Sequence, residues 1–302
     1  MDTVDKTEIT NWFKSLQDQI CNGLEALDGN STFLEEQWTR PEGGGGRSRV
    51  IKQGNLIEKG GVNFSAVEGE TPKKILDALS LPKSDFYATG VSIVLHPQNP
   101  WVPIIHMNIR YFEMSNGIWW FGGGIDLTPH IIIKEKAKRF HTRLKETCDH
   151  YHAVYYPKFK QWADDYFYVK HRNETRGIGG IFFDRLAQDS EFTKTQRWNF
   201  VQAVGETFLP IYAEAVEDLR NRDWTDQDKV WQRIRRGRYV EFNLVHDKGT
   251  KFGLDTNGRT ESILMSLPPE ANWEYNHEPE TNEQKNTLSL LRKGIDWVGD
   301  HT

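Results

Sequence analysis

The sequence predicts an α+β fold in which an antiparallel β-sheet is covered by helices. Strand-like segments come first, helical periodicity fills the middle, and strand-like alternation returns near residue 240. The pairs Gly54-Asn55 and Asn116-Gly117 mark tight turns between neighbouring extended runs. Regular strand–helix–strand alternation does not occur, which argues against a parallel doubly wound sheet.

The elements follow in order. Ile9, Trp12, Phe13, Leu16, Ile20, Leu24 and Leu27 fall at helical spacing, so 8–27 reads as an amphipathic helix that Asp28-Gly29-Asn30 ends. Gly43 to Gly46 reads as a flexible hinge or lid opening a strand-like run from Arg47 to Gln53, and Leu56 to Phe64 is its return strand. Segments 86–95 and 102–113 read as two more strands, and Ile118 to Phe121 follows the second turn. Thr128-Pro129 resembles an N-cap with a proline in the first helical position, predicting a helix to about Cys148. Further helices are expected from Pro157 to about His171, from about Lys194 to Arg222, and from Thr225 to Arg236. Alternation then predicts strands at Arg238 to Val245 and Lys251 to Asp255. Ser262 to Leu267 reads as a short helix closed by Pro268-Pro269, and Glu283 to Val298 as the C-terminal helix. With no internal repeat and no long linker, residues 1–302 are expected to form a single domain.

Composition narrows the function classes. Of 302 residues 37% are apolar and 27% charged, which is globular and not disordered. The 11 Trp, 10 Tyr and 16 Phe can serve core packing or line a pocket for a flat aromatic ligand. A net charge of −5 without a nucleic-acid motif argues against nucleic-acid binding. Cys21 and Cys148 lie far apart, offering neither a disulfide framework nor a cluster-binding set, and they fit a reducing compartment. No apolar run approaches membrane-spanning length. The first residues are acidic and lack an apolar signal core, so a cytoplasmic location is expected.

Four segments can carry chemistry. Alternation puts His106, Asn108 and Arg110 on one strand face and Met107, Ile109 and Tyr111 on the other. A titratable ring, an amide and a guanidinium on one face suit a carboxylate ligand, and equally suit a solvated strand face. Gly122 to Gly124 let a ligand approach the backbone before Asp126, which is either a functional carboxylate or a turn residue. A phosphate loop is excluded because the lysine motif is missing. Arg176, ahead of a glycine-rich turn, is a carboxylate binder or a helix-end cation. Arg259 follows Asn257-Gly258 near a helix start. His96, His106, His141 and His171 sit on different elements, as metal ligands often do, although no HExxH or local ligand pair occurs.

Together these segments resemble the oxygen-dependent coproporphyrinogen oxidases. The motifs run in order: GGGGRSRV at 43–50, GVNFS at 61–65, HPxNPxVPxxHxNxRYF at 96–112 and WWFGGGxDLTP at 119–129. YPKFKxWxDDYFxxKHRNExRGIGGIFFD at 156–184, GRYVEFNLVxDxGTxFGL at 237–254 and GRTESILMSLPP at 258–269 complete them, and the likeness spans roughly 10–298. The resemblance implies a large flat antiparallel sheet flanked by helices on both faces, and a homodimer. It implies oxidative decarboxylation of two propionates of coproporphyrinogen III by O₂, giving protoporphyrinogen IX, CO₂ and H₂O₂. No organic cofactor is implied. By resemblance His106 is a proton donor, and Ser92, Asn108, Ile109, Arg110, Asn257, Gly258 and Arg259 contact substrate. His96, His106, His141 and His171 match histidines proposed to hold a divalent metal, which leaves a non-haem metal oxygenase as the alternative. On this basis Asp126 is expected to accept the inward pyrrole N–H groups, and Arg110, Arg176 and Arg259 to meet propionates. His246 stands where the family often has Trp or Tyr, and Asn257 where a small residue is expected.

Overall fold

The computed structural model describes residues 4–71, 76, 83–255 and 258–299. Seven strands form one antiparallel sheet: β1 (Leu34–Thr39), β2 (Gly44–Lys52), β3 (Ile57–Glu70), β4 (Asp85–Pro97), β5 (Ile104–Met114), β6 (Trp119–Thr128) and β9 (Gly180–Leu186). Their spatial order is β1-β2-β3-β4-β5-β6-β9, and β7 (Tyr168–Val169) with β8 (Glu174–Thr175) makes a small separate ladder. The helices are α1 (Lys6–Asp28), α2 (Lys134–Asp149), α3 (Tyr155–Tyr166), α4 (Lys194–Val216), α5 (Asp226–Glu241), α6 (Lys248–Asp255), α7 (Thr260–Leu264) and α8 (Asn282–Leu290). A π-helical turn, Phe242–His246, joins α5 to α6.

Strand alternation divides the sheet into an apolar face and a polar one. Ile93, Met107, Ile109 and Ile125 belong to the main core with Phe13 of α1, Phe140 of α2 and Val204 of α4. The opposite face carries Val94 and Ile104 against Tyr239 of α5, while α7 is tied to β3 by the Asn63 side chain donating to the Ser262 carbonyl at 2.7 Å. Helices therefore cover both faces, as the resemblance implied. α3 lies along the edge strand β9, with Phe159 and Phe183 rings 5.3 Å apart. Among the described residues no helix is long and apolar enough to cross a membrane.

Several expected boundaries are corrected. Thr128 does not cap a helix: it pairs with Ile104 as the last residue of β6. Ile131 and Ile132 are buried in the connection that follows, and α2 begins only at Lys134. Gly44 to Gly46 are strand residues of β2, not a loose hinge. The strands expected at 238–245 and 251–255 are helical: α5 starts from a Thr225–Asp228 capping box and runs through Glu241. Tyr239, Val240 and Phe242 are all buried, so apolar residues there do not mark a single solvent-averted stripe, and their spacing imitates a strand. The C-terminal helix ends at Leu290, well before Val298.

Candidate active site

The polar face of β5 and β6 builds the site. In register across the sheet lie Glu36, Ser48, Asn63, Ser92, Asn108 and Gly124, one polar or small residue per strand. A parallel row holds Val94, His106 and Asp126, and another Gly90, Arg110 and Gly122. The expected grouping of His106, Asn108 and Arg110 on one face therefore holds. Ile109, expected to contact substrate, points the other way: it is fully buried in the opposite core, because alternation reverses every neighbour of a site residue.

His106 Nδ1 lies 2.7 Å from Asp126 Oδ1. Asp126 Oδ2 accepts from Arg176 Nη2 at 2.6 Å. The Asp126 and Arg176 side chains are 3% and 2% exposed, whereas His106 is 22% exposed. Burial pushes the Asp126 carboxyl up, yet the Arg176 charge and the bonds from His106 and Arg176 together hold it below its ordinary range. Asp126 thus engages His106 through Nδ1, and Nε2 is the ring nitrogen it leaves unengaged. Arg176 also donates to Asn243 Oδ1 at 3.0 Å and lies 4.3 to 4.7 Å from the ring centres of Phe167, Tyr239 and Phe242. Arg176 is thus committed to Asp126 inside the protein and does not present itself to a ligand. Both Asp126 oxygens are likewise engaged from within, one by His106 and one by Arg176.

Arg110 and Arg259 are more open. Arg110 donates to Asn108 Oδ1 at 2.8 Å and to Asp184 Oδ1 at 2.7 Å. Gly122 makes room for that arrangement: a Cβ there would stand 2.7 Å from Arg110 Nη2 and 2.6 Å from Asp184 Oδ1. Arg259 donates to Ser262 Oγ at 3.1 Å and to Glu36 Oε1 at 2.5 Å, above β1 and β2. Ser92 is half-buried between Asn63 and Asn108. Gly258 N donates to the Gly253 carbonyl at 2.8 Å, fixing the backbone beside Arg259, and Asn257 lies outside the described residues.

The four histidines expected to share a metal do not converge. His96 is buried with Nε2 2.8 Å from the Ser266 carbonyl. His141 lies in the helical layer on the apolar side, between Tyr156 Oη at 3.0 Å and the Ile178 carbonyl at 2.9 Å. His171 stands between His246 Nε2 at 2.9 Å and Glu241 Oε2 at 2.8 Å. Burial opposes ionisation of Glu241, but bonds from Arg172 and His171 prevail and hold it at about 2. Among the described residues no set of three or more His, Cys, Asp or Glu side chains is arranged around one ion position. The donor set does not fit a four-histidine centre in this chain.

Sequence reasoning passed over Asp184, Asn243 and Glu241. Asp184 had a signal: two-residue steps along β9 put Gly180, Phe182 and Asp184 on one face. Asn243 had none, because only the π-helical turn aims it at Arg176. A hollow of about 360 Å³ between the far ends of β4 and β5, lined by Lys6, Glu68, Tyr87 and Glu113 among others, shares no residue with the site. It lies about eight residues along β5 from His106, roughly 27 Å.

Comparison with known proteins gives a consistent result. The family profile described as coproporphyrinogen III oxidase matches residues 8–297. The oxygen-dependent coproporphyrinogen-III oxidase of Synechococcus sp. (strain CC9902) is 49% identical over 310 residues, covering 94% of this chain and 85% of that protein. The protein of the same name from Parasynechococcus marenigrum (strain WH8102) is 49% identical over 310 residues, covering 94% and 85%. That from Prochlorococcus marinus (strain NATL1A) is 47% identical over 310 residues, covering 94% and 89%. With the His106–Asp126–Arg176 arrangement embedded in the matched length, the chain belongs to the coproporphyrinogen III oxidase family.

Proposed function

We propose that this chain catalyses the oxygen-dependent oxidative decarboxylation of coproporphyrinogen III to protoporphyrinogen IX. At each of two propionates the conversion is R–CH₂CH₂COOH + O₂ → R–CH=CH₂ + CO₂ + H₂O₂. One observation carries the reading: a buried-anion-backed histidine opens onto the same sheet face as two partly exposed arginines. Ser48 beside Arg259 and Asn108 beside Arg110 stand in register on β2 and β5. Three strand spacings of about 4.8 Å, roughly 14 Å, separate those strands. That span suits a macrocycle whose carboxylates extend from its rim. Small and polar side chains, Asn63, Ser92 and Asn108 among them, line the sheet face between the arginines.

The electron-rich porphyrinogen supplies the reducing power for O₂. The protein's contribution is to hold carboxylates with Arg110 and Arg259, and to place His106 Nε2 where a proton must be given or taken. Asp126 acts through His106 by fixing its tautomer, and Arg176 keeps Asp126 ionised. A homodimer in the cytosol, built as one domain over 1–302, completes the reading, and light scattering of the purified chain tests its oligomeric state.

The deciding assay follows porphyrin fluorescence from coproporphyrinogen III under air and under argon, with and without a chelator. Turnover under air that stops under argon and survives chelation is expected. Equal product under argon would refute the oxygen-dependent reading, and loss of activity on chelation would revive a metal-dependent one.

A further inference from the structure

All three arginines expected to meet substrate carboxylates already hold a carboxylate of the protein itself. The three pairs differ in a way that separates their roles. Arg176–Asp126 is closed off, with side chains 2% and 3% exposed. Arg110–Asp184 and Arg259–Glu36 are open, at 38% and 32%, and at 26% and 64%. Asp184 and Glu36 occupy the two outermost strands of the sheet, β9 and β1, at opposite ends of the site face. Exposed ion pairs in water are weak and exchange readily, whereas a buried pair that loses one member leaves an uncompensated charge.

We propose that Asp184 and Glu36 are internal counter-ions that an incoming carboxylate displaces from Arg110 and Arg259. This inference rests on the proposed polycarboxylate substrate and adds how the site selects and releases it. Each guanidinium is satisfied by its internal partner, so a lone small anion gains little by binding. A ligand with carboxylates at the right separation exchanges one anion for another at both ends, and so outcompetes the internal pair. When a propionate becomes a vinyl group its arginine loses the ligand, and the edge-strand carboxylate takes it back. Dissociation of the converted macrocycle then leaves no bare cation behind.

Asp184 and Glu36 are specificity-determining residues on this view and take no part in bond making. Removing either charge abolishes the competition and tightens substrate. Binding is measured without turnover, by quenching of tryptophan fluorescence with coproporphyrin III, a tetracarboxylate, and with protoporphyrin IX, a dicarboxylate. Asp184→Asn and Glu36→Gln are each expected to bind coproporphyrin III about two- to fivefold more tightly than the unaltered chain. Inorganic phosphate should compete better in both variants. Glu36 lies on an exposed edge strand, so that variant tests the idea without risk to folding. Unchanged or weakened coproporphyrin binding in both variants would overturn the inference, because it would make the two carboxylates mere supports for their arginines. Failure of the unaltered chain to bind coproporphyrin III at all would instead count against the proposed function.

Discussion

His106 and Asp126 face each other across the β5–β6 ladder, and their side chains meet at 2.7 Å within one hairpin. Asp126 is in turn the partner of a guanidinium with almost no solvent contact. The histidine is therefore the accessible end of a chain of charges whose other members are internal.

Asp126→Ala removes the centre of that chain. It leaves Arg176 charged and unpaired in the interior, which costs about 3 kcal/mol of stability. It also frees the His106 ring, and turnover is expected to fall about tenfold, roughly 1.4 kcal/mol in barrier. Chemical denaturation and aerobic turnover of the same preparation check both. Near-normal turnover would remove Asp126 from the mechanism.

Arg110→Ala should raise KM with kcat little changed, because the guanidinium holds a carboxylate equally in ground and transition states. The expected rise is about 10- to 100-fold, matching a charged hydrogen bond of roughly 1.5–3 kcal/mol. A fall in kcat at unchanged KM would place Arg110 in the chemical step.

Gly122→Ala puts a methyl group against Arg110 and Asp184 without touching the core. The half-exposed ion pair can give way, so stability should change by less than about 1 kcal/mol while KM rises about fivefold. A thermal melt and a substrate titration are sufficient to check it, and an unchanged KM would show that the placement of the Arg110 guanidinium does not matter to the substrate.

Acid should weaken the fold earlier than its carboxylates alone would. His96 and His130 are driven well below their usual value by burial and then by the Arg236 charge, and burial brings His141 down to about 3. The unfolded chain binds protons at these rings below about pH 6.5 while the folded one does not, so stability is complete above that pH. It then falls as pH drops, by about 1.4 kcal/mol per pH unit for each ring, until the folded-state values are reached. Urea midpoints from pH 7.5 to 5 measure the slope. His141→Phe should flatten it by about one ring's share, and an unaltered slope would mean that His141 takes up its proton in the folded chain as readily as in the unfolded one.

Alternation was the most informative signal in the sequence, and its limits follow from burial. His106, Asn108 and Arg110 sit on a strand with one buried and one open face, where alternation reports orientation directly. Tyr239, Val240 and Phe242 lie where several elements meet, and apolar spacing there no longer separates helix from strand. The same crowding concealed the role of Arg176. A helix-end cation and a buried counter-ion look alike in sequence, and only the approach of Phe167, Tyr239 and Phe242 from three sides distinguishes them. His96 and His141 read as ligands because histidines on separate elements suggest convergence. In three dimensions each satisfies a local carbonyl instead.

The unbroken run of β1 to β6 also bears on how the molecule assembles. From β2 onward each of these strands pairs with the one made just before it, so the sheet that carries His106 and Asp126 forms between neighbours in sequence. Arg176, Asn243 and the rings around them belong to segments synthesised afterwards. A ribosome-bound chain can therefore lay down the working surface first and receive the neutralising guanidinium later, which makes protection of Asp126 a late event in maturation.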